Sequence, residues 1–365
     1  MNALPAGYAL HEYRIEKVLG VGGFGLTYLA LDANLNLKVA LKEYLPADVA
    51  LRGPDQSIGP RSADTAETFG WGKQRFLDES RTVASLRHPN IVRVMRFFEA
   101  NGTAYMVMEF VEGAPLGDWI APRRPLAEAQ AAALIGPLLD GLEVVHRAGY
   151  LHRDIKPGNI YVRDDGAPVL LDFGSARQKS SELTAVVSPG YAPFEQYHTH
   201  GKQGPWSDLY ALGGVLYWMV TGSMPLEAPA RIRADTMAPA VQAGDRSRFR
   251  AEFLAAIDWA LSPFEDQRPQ SVAEWRDALL AGKPVEVKTQ KIQKASPPRL
   301  PPEVLKRAEE RLAEYIGPVA PVMVKRAAAK ARDEAELYLL LADEIEDKDE
   351  KKAFVRKAVS ISGKP

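Results

Sequence analysis

Leu151-His152-Arg153-Asp154-Ile155-Lys156-Pro157-Gly158-Asn159, followed by Asp172-Phe173-Gly174, is the stretch on which the reading of this chain turns. One short loop gathers an Asp, a Lys and an Asn, and a second Asp follows a strand-like pair of segments. Any one of these is most often a turn-forming polar residue. Together they are the groups that phosphoryl transfer needs. One carboxylate orients a hydroxyl nucleophile, a cation offsets charge on the transferring group, and an Asn with an Asp supplies hard oxygen ligands for Mg²⁺ or Mn²⁺.

Upstream, Tyr13 to Val18 alternates polar and apolar residues, and Leu26–Leu31 and Lys38–Lys42 also suit strands, so residues 8–45 are expected to form a small antiparallel sheet. Between the first two strands lies Gly20-Val21-Gly22-Gly23-Phe24-Gly25. Glycines let backbone amides approach phosphates that a Cβ would hold off. The motif alone is weak and equally describes a glycine-rich hairpin. A dinucleotide fold, however, needs a helix straight after the glycines, and a strand-like segment follows instead. Val39-Ala40-Leu41-Lys42 then places a lysine on a strand, where a solvated edge charge is the ordinary reading.

The H-R-D-x-x-x-x-N and D-F-G elements, the glycine loop and the strand lysine together resemble the serine/threonine protein kinases of the Hanks type found in bacteria. The resemblance implies an α+β fold of two lobes, a small antiparallel β-sheet lobe and a mostly helical lobe. It implies Asp154 as the group that orients the substrate hydroxyl, Lys156 on the γ-phosphate, and Lys42 on the α- and β-phosphates, paired with Glu79. Asn159 and Asp172 would hold the metal. The adenine pocket would be built from Leu19, Gly20, Gly22, Gly25, Thr27, Ala40, Met108 as gatekeeper, backbone groups of Glu109 and Val111, and Tyr161. Thr27 stands where the family usually has Val, and Tyr161 where it more often has an aliphatic residue.

Glu79 is expected on a helix that includes Phe76, Val83 and Leu86, just before His88-Pro89-Asn90-Ile91-Val92. It lies 37 positions beyond Lys42, more than a compact kinase needs. The excess, residues 46–72, is rich in Gly, Pro, Asp and Ser and is expected to be an irregular surface insertion. Ala127–Arg147 reads as a core helix. Ala192-Pro193-Phe194-Glu195 interrupts the family's closing Ala-Pro-Glu, yet counting from Tyr191 keeps Glu195 in register to pair with Arg268. In that register the resemblance implies Ser188 against the catalytic Asp and Lys and Thr184 at the activating phosphorylation position, and the match of Ser207–Gly213 to the family's S-D-x-Y-A-L-G helix implies Asp208 as the brace of the catalytic loop. Ser180 and Ser181 compete with Thr184.

Residues 8–282 are thus read as a catalytic domain. Residues 283–301 carry five Lys or Arg and four Pro and read as a basic linker, and 302–365 as a compact bundle of three or four short helices for protein interaction. The chain has 365 residues, a net charge of −1 and no cysteine, which removes the usual argument for a nucleic-acid partner and excludes disulfide and thiol chemistry. The longest apolar run, Leu209–Val220, falls short of the roughly 20 residues a spanning helix takes, so a soluble, cytoplasmic protein is expected. The leading expectation is an ATP-dependent protein serine/threonine kinase acting on proteins and on itself in bacterial signalling. Kinases of this kind often work beside a partner phosphatase and phosphothreonine-reading proteins, and the resemblance implies such partners. The competing readings are a pseudokinase scaffold working through its C-terminal helices, and a small-molecule kinase of related fold.

Overall fold

A computed structural model describes residues 3–172, 177–178, 188–197, 201–282 and 300–328, with 331, 334–342, 344–345, 350–351 and 354 beyond them. Phe173, Gly174, Thr184, Ser180, Ser181 and residues 283–299 of the linker lie outside the described residues.

Eight strands and one long helix make the first lobe: β1 (Ala9–Leu10), β2 (Tyr13–Gly22), β3 (Gly25–Asp32), β4 (Leu37–Tyr44), β5 (Ala50–Arg52), β6 (Ile58–Pro60), α1 (Ala66–Ser85), β7 (Val94–Ala100) and β8 (Thr103–Glu109). Six of the strands form one antiparallel sheet in the order β1-β2-β3-β4-β8-β7. In β2 the buried Tyr13 and Ile15 alternate with exposed Arg14 and Glu16, the pattern of a strand with one wet face. β8 is buried along almost its whole length, because it sits between β4 and β7 and is covered on both faces. Asn101 and Gly102, both with positive φ, close the β7–β8 hairpin as a two-residue turn.

The region between β4 and Glu79 corrects the expected irregular insertion. Residues 50–60 form a β-hairpin, and α1 begins at Ala66, two turns earlier than the sequence pattern indicated. Leu45, Ala50, Ile58 and Phe69 are buried there. The apolar positions are real but widely spaced, and two three-residue strands are too short to show a period of two.

The second lobe runs β9 (Gly113–Pro115), α2 (Leu116–Ile120), α3 (Glu128–Arg147), β10 (Tyr150–Leu151), β11 (Ile160–Arg163), β12 (Pro168–Leu170), β13 (Arg177–Gln178), α4 (Pro205–Thr221), α5 (Ala228–Arg233), α6 (Ala240–Ala243), α7 (Ala251–Ala260) and α8 (Val272–Leu280). Leu134, Ile135, Leu138, Leu139, Leu142 and Val145 form the buried stripe of α3. α4 is buried nearly all round, which makes it the post around which the lobe packs. β9, β11 and β12 form one small antiparallel sheet and β10 pairs with β13, so the loops between β10, β11 and β12 are held from both sides. At the C-terminus α9 (Pro302–Ile316), α10 (Ala320–Ala328) and α11 (Glu334–Ala342) pack on one another. Val304, Ala308 and Leu312 are the buried face of α9, whereas Leu305 and Ile316 are only partly covered. No helix among the described residues is long and apolar enough to cross a membrane.

Candidate active site

The glycines of the β2–β3 turn serve two purposes. Gly25 has φ +147°, and a Cβ on it would stand 1.8 Å from the Glu43 carbonyl oxygen, so the fold itself requires glycine where β3 crosses β4. A Cβ on Gly20 or Gly23 would meet nothing within 4 Å, and one on Gly22 only a carbonyl at 4.0 Å. Those three leave an open backbone cradle that suits a phosphate chain.

Cross-strand register places Thr27 opposite Lys42 and Leu29 opposite Ala40 on β3, and Met106 and Met108 opposite the same two residues on β8. Directly paired side chains share a face. Thr27, Ala40, Lys42 and Met108 therefore line one surface of the sheet, and Leu19 at the loop's start is exposed. Glu109 falls in the opposite phase. Its carboxylate accepts from Arg163 Nη2 at 3.1 Å and its N–H donates to the Arg93 carbonyl at 2.9 Å. Val111 is buried beyond it, and Tyr161 is half-buried on β11, opposite Pro115 and Val169.

Lys42 Nζ makes an ion pair with Asp172 Oδ1. Burial alone would lower the lysine's pKa, but the charges of Asp172 and Glu79 outweigh it and hold the pKa above the usual value. Glu79 thus acts on Lys42 through its field, while the direct partner is Asp172.

The loop that carries His152 to Asn159 hangs from one buried carboxylate. Asp208, in the first turn of α4, accepts the His152 N–H at 2.9 Å, the Arg153 N–H at 2.8 Å and a contact from His146 Nε2 at 2.8 Å. Desolvation would raise the Asp208 pKa, but the hydrogen bond and charge of His146 and the nearby groups lower it overall. Arg153 sits at φ +68° and Asp172 at φ +50°, a region few non-glycine residues occupy. Two donors fixed on Asp208 hold the first of these in place. The strained turn aims the next side chain outward.

That side chain is Asp154. Lys156 Nζ donates to both of its oxygens, at 3.1 and 2.8 Å, and Ser188 Oγ donates to Oδ1 at 2.6 Å while receiving Lys156 Nζ at 3.0 Å. Asn159 Nδ2 donates to the Asp154 carbonyl at 2.8 Å and to Oδ2 at 2.9 Å. A hydroxyl, a carboxylate and an ammonium therefore meet at one point. Because Asn159 commits its amide hydrogens to Asp154, its Oδ1 is left as an acceptor. Together with the partly exposed Asp172 carboxylate it forms a set of hard oxygens that fits a divalent cation.

Glu195 and Arg268 meet in a buried ion pair at 2.8 Å, and Ser207 Oγ donates to the same Glu195 oxygen at 2.7 Å. Gln196 Nε2 ties this segment back to the Arg153 carbonyl at 3.0 Å. Sequence reasoning missed His146, Ser207 and Gln196. His146 carries a signal in hindsight, being a polar residue in the last turn of a core helix six residues before His152.

The protein kinase domain pattern matches residues 13–274. The chain belongs to the protein kinase family. Within that family it resembles the bacterial Hanks-type serine/threonine kinases. It is 32% identical over 294 residues to serine/threonine-protein kinase pkn2 of Myxococcus xanthus, covering 74% of this chain and 32% of that protein. Against serine/threonine-protein kinase PknB of Mycolicibacterium smegmatis it is 32% identical over 287 residues, with 74% and 42% covered. The chain thus spans less than half the length of these curated relatives. A solved structure described as the PpkA-294 apo form matches with a TM-score of 0.68 and 40% identity, over 76% of this chain and all of that one. Residues 303–365 match a separate family, described as a domain of unknown function (DUF8082). Membership of the kinase family implies use of ATP and a divalent metal.

Proposed function

We propose that this protein is an ATP- and Mg²⁺-dependent protein serine/threonine kinase that phosphorylates proteins, itself included, in cytoplasmic bacterial signalling. The observation that carries the reading is the Asp154–Lys156–Ser188 contact, a hydroxyl hydrogen-bonded to a carboxylate beside a cation. A substrate hydroxyl in that place has its proton directed at Asp154. Its oxygen attacks the γ-phosphorus, the bond from that phosphorus to the β,γ-bridging oxygen breaks, ADP leaves, and the proton passes to the carboxylate. Lys156 steadies the phosphoryl oxygens and Lys42 the α- and β-phosphates. The cation at Asn159 and Asp172 supplies charge neutralisation when bound. Thr27, Ala40, Met108 and Tyr161 enclose the adenine, with the Glu109 carbonyl and Val111 backbone reading its edge.

Residues 8–282 form the catalytic domain in this reading, 283–301 the linker and 302–365 a protein-interaction unit. Thr184 is the proposed activating phosphosite, with Arg153 as the cation that orders it. The experiment is incubation of the purified chain with labelled ATP and Mg²⁺ or Mn²⁺, beside Asp154→Ala and Lys42→Ala. Label on protein that drops by about 10²–10⁴-fold in the Asp154 variant supports the reading, and mapping the labelled residue tests Thr184. Equal labelling in wild type and both variants sinks it. Absence of label with every metal points instead to a scaffold.

A further inference from the structure

The residue after Lys42 is a glutamate with no exposed surface. Glu43 lies on the face of β4 opposite Lys42, and three elements converge on it. Tyr105 Oη of β8 donates to Oε1 at 2.6 Å, Tyr28 Oη of β3 donates to Oε2 at 2.7 Å, and the Arg52 guanidinium of the β5–β6 hairpin forms an ion pair with Oε2. The Arg52 side chain is 3% exposed and also donates through Nη1 to the Gln56 carbonyl at 3.1 Å. The network extends outward from Tyr105 through Asn101 to Tyr8. The hairpin is tied to the sheet by its backbone as well, since the Ile58 N–H donates to the Asn101 carbonyl at 2.7 Å.

The same segment runs on into α1. β6 lies against α1, and Tyr44, two residues beyond Lys42, packs its ring on Phe69 and Phe76 with centroids 5.6 and 5.8 Å apart. Gly72, on the same helical face, lets the helix close on that ring. A buried carboxylate is tolerated only with its counter-charge and donors in place. Arg52 therefore couples the hairpin to β4, and β4 carries Lys42.

We propose that residues 46–60 are a positioning strap. Arg52, acting through Glu43, holds β4 and the start of α1 so that Lys42 and Glu79 are set for nucleotide before any nucleotide arrives. This rests on Lys42 being the ATP-handling lysine. It assigns Arg52 and Glu43 as positioning residues and gives the insertion a role in setting the site.

The test combines hydrogen exchange with kinetics on the full chain. In wild type, amides of 37–44 and 66–85 change exchange by less than about twofold when a non-hydrolysable ATP analogue and Mg²⁺ are added, because that region is already ordered. Arg52→Met exchanges about tenfold faster in 66–85 and raises the KM for ATP about tenfold, while kcat at saturating ATP stays within about twofold. Arg52→Lys restores part of the affinity. A merely less stable protein would lose active fraction, and so kcat, without moving KM. Should Arg52→Met fail to fold, Glu43→Gln with Arg52→Met removes both buried charges and shows the same KM shift. Wild-type exchange and KM in a folded Arg52→Met or double variant overturn the proposal. So does a wild-type α1 that gains tenfold or more protection only when the analogue binds. A wild type that binds no analogue refutes the kinase reading instead, since the exchange of Arg52→Met still reports on the strap.

Discussion

A single carboxylate, Asp208, illustrates how much this active site depends on groups that never touch substrate. It is fully buried, and its oxygens receive the amides of the two residues that precede Asp154. Asp208→Asn replaces an acceptor-only group with one that also carries donors, so one of the clustered N–H groups is left without a partner. The expected loss is about 1–3 kcal/mol of stability near neutral pH, measured by chemical denaturation. The sign with pH follows from the lowered pKa of Asp208. A depressed native pKa gives stability that is complete above the unfolded value and lost as pH falls through the native one. The gap between wild type and Asp208→Asn therefore closes in acid, below the ordinary carboxylate range. A gap unchanged from pH 7 down to the acid limit would show that the carboxylate charge does not matter there.

Among the elements, α1 yields the sharpest contrast because it holds two glycines two residues apart. A Cβ on Gly70 meets nothing within 4 Å, whereas a Cβ on Gly72 would lie 2.0 Å from Tyr44 Oη. Helix propensity favours alanine at both places by about 1 kcal/mol. At Gly72 the phenol ring it would displace is buried against Phe69 and Phe76, and overpacking of that kind costs about 1–3 kcal/mol. Gly70→Ala should raise the melting temperature and Gly72→Ala should lower it. Equal shifts in the two variants would mean that Tyr44 does not set the spacing between helix and sheet. The same element shows where sequence patterns lose sight of structure. Phe76 and Val83 marked the helix correctly, but its first two turns, with Gly70, Trp71 and Gly72, looked like insertion.

At the scale of the whole chain, the C-terminal helices touch the catalytic lobe through Arg326, whose Nη2 lies 2.6 Å from Glu265 Oε1. Glu265 begins the short turn that delivers Arg268 to Glu195, so the contact falls beside that buried ion pair. Burial would raise the Glu265 pKa, but its hydrogen bond with Arg326 and neighbouring charges lower it. The arginine side chain is 39% exposed and that of Glu265 only 14%, so solvent and salt reach the pair from the arginine side and its worth stays near the roughly 0.2–1 kcal/mol of a screened pair. Arg326→Ala should therefore cost less than about 1 kcal/mol in low salt and almost nothing in 1 M salt, as read from unfolding curves. A larger, salt-independent loss would mean that packing, and not this ion pair, joins the helices to the lobe.

Taken alone, the sequence determined the family and which polar residues share one loop. Asp154, Lys156 and Asn159 lie within one loop, and a loop's residues meet because the chain between them is short. The glycine turn, the strand lysine and the core helix α3 were legible for the same reason, since each is read from its own neighbours. Tertiary structure alone decided the distant contacts that no motif marks. His146 reaches Asp208 across 62 positions, and β8 inserts between β4 and β7. The hairpin at 50–60 turns a glutamate and an arginine into a buried pair. Composition places charges at the surface, where water solvates them. Only a fold that brings Arg52, Tyr28 and Tyr105 to the same carboxylate makes it favourable for Glu43 to leave water, and no local pattern encodes that convergence.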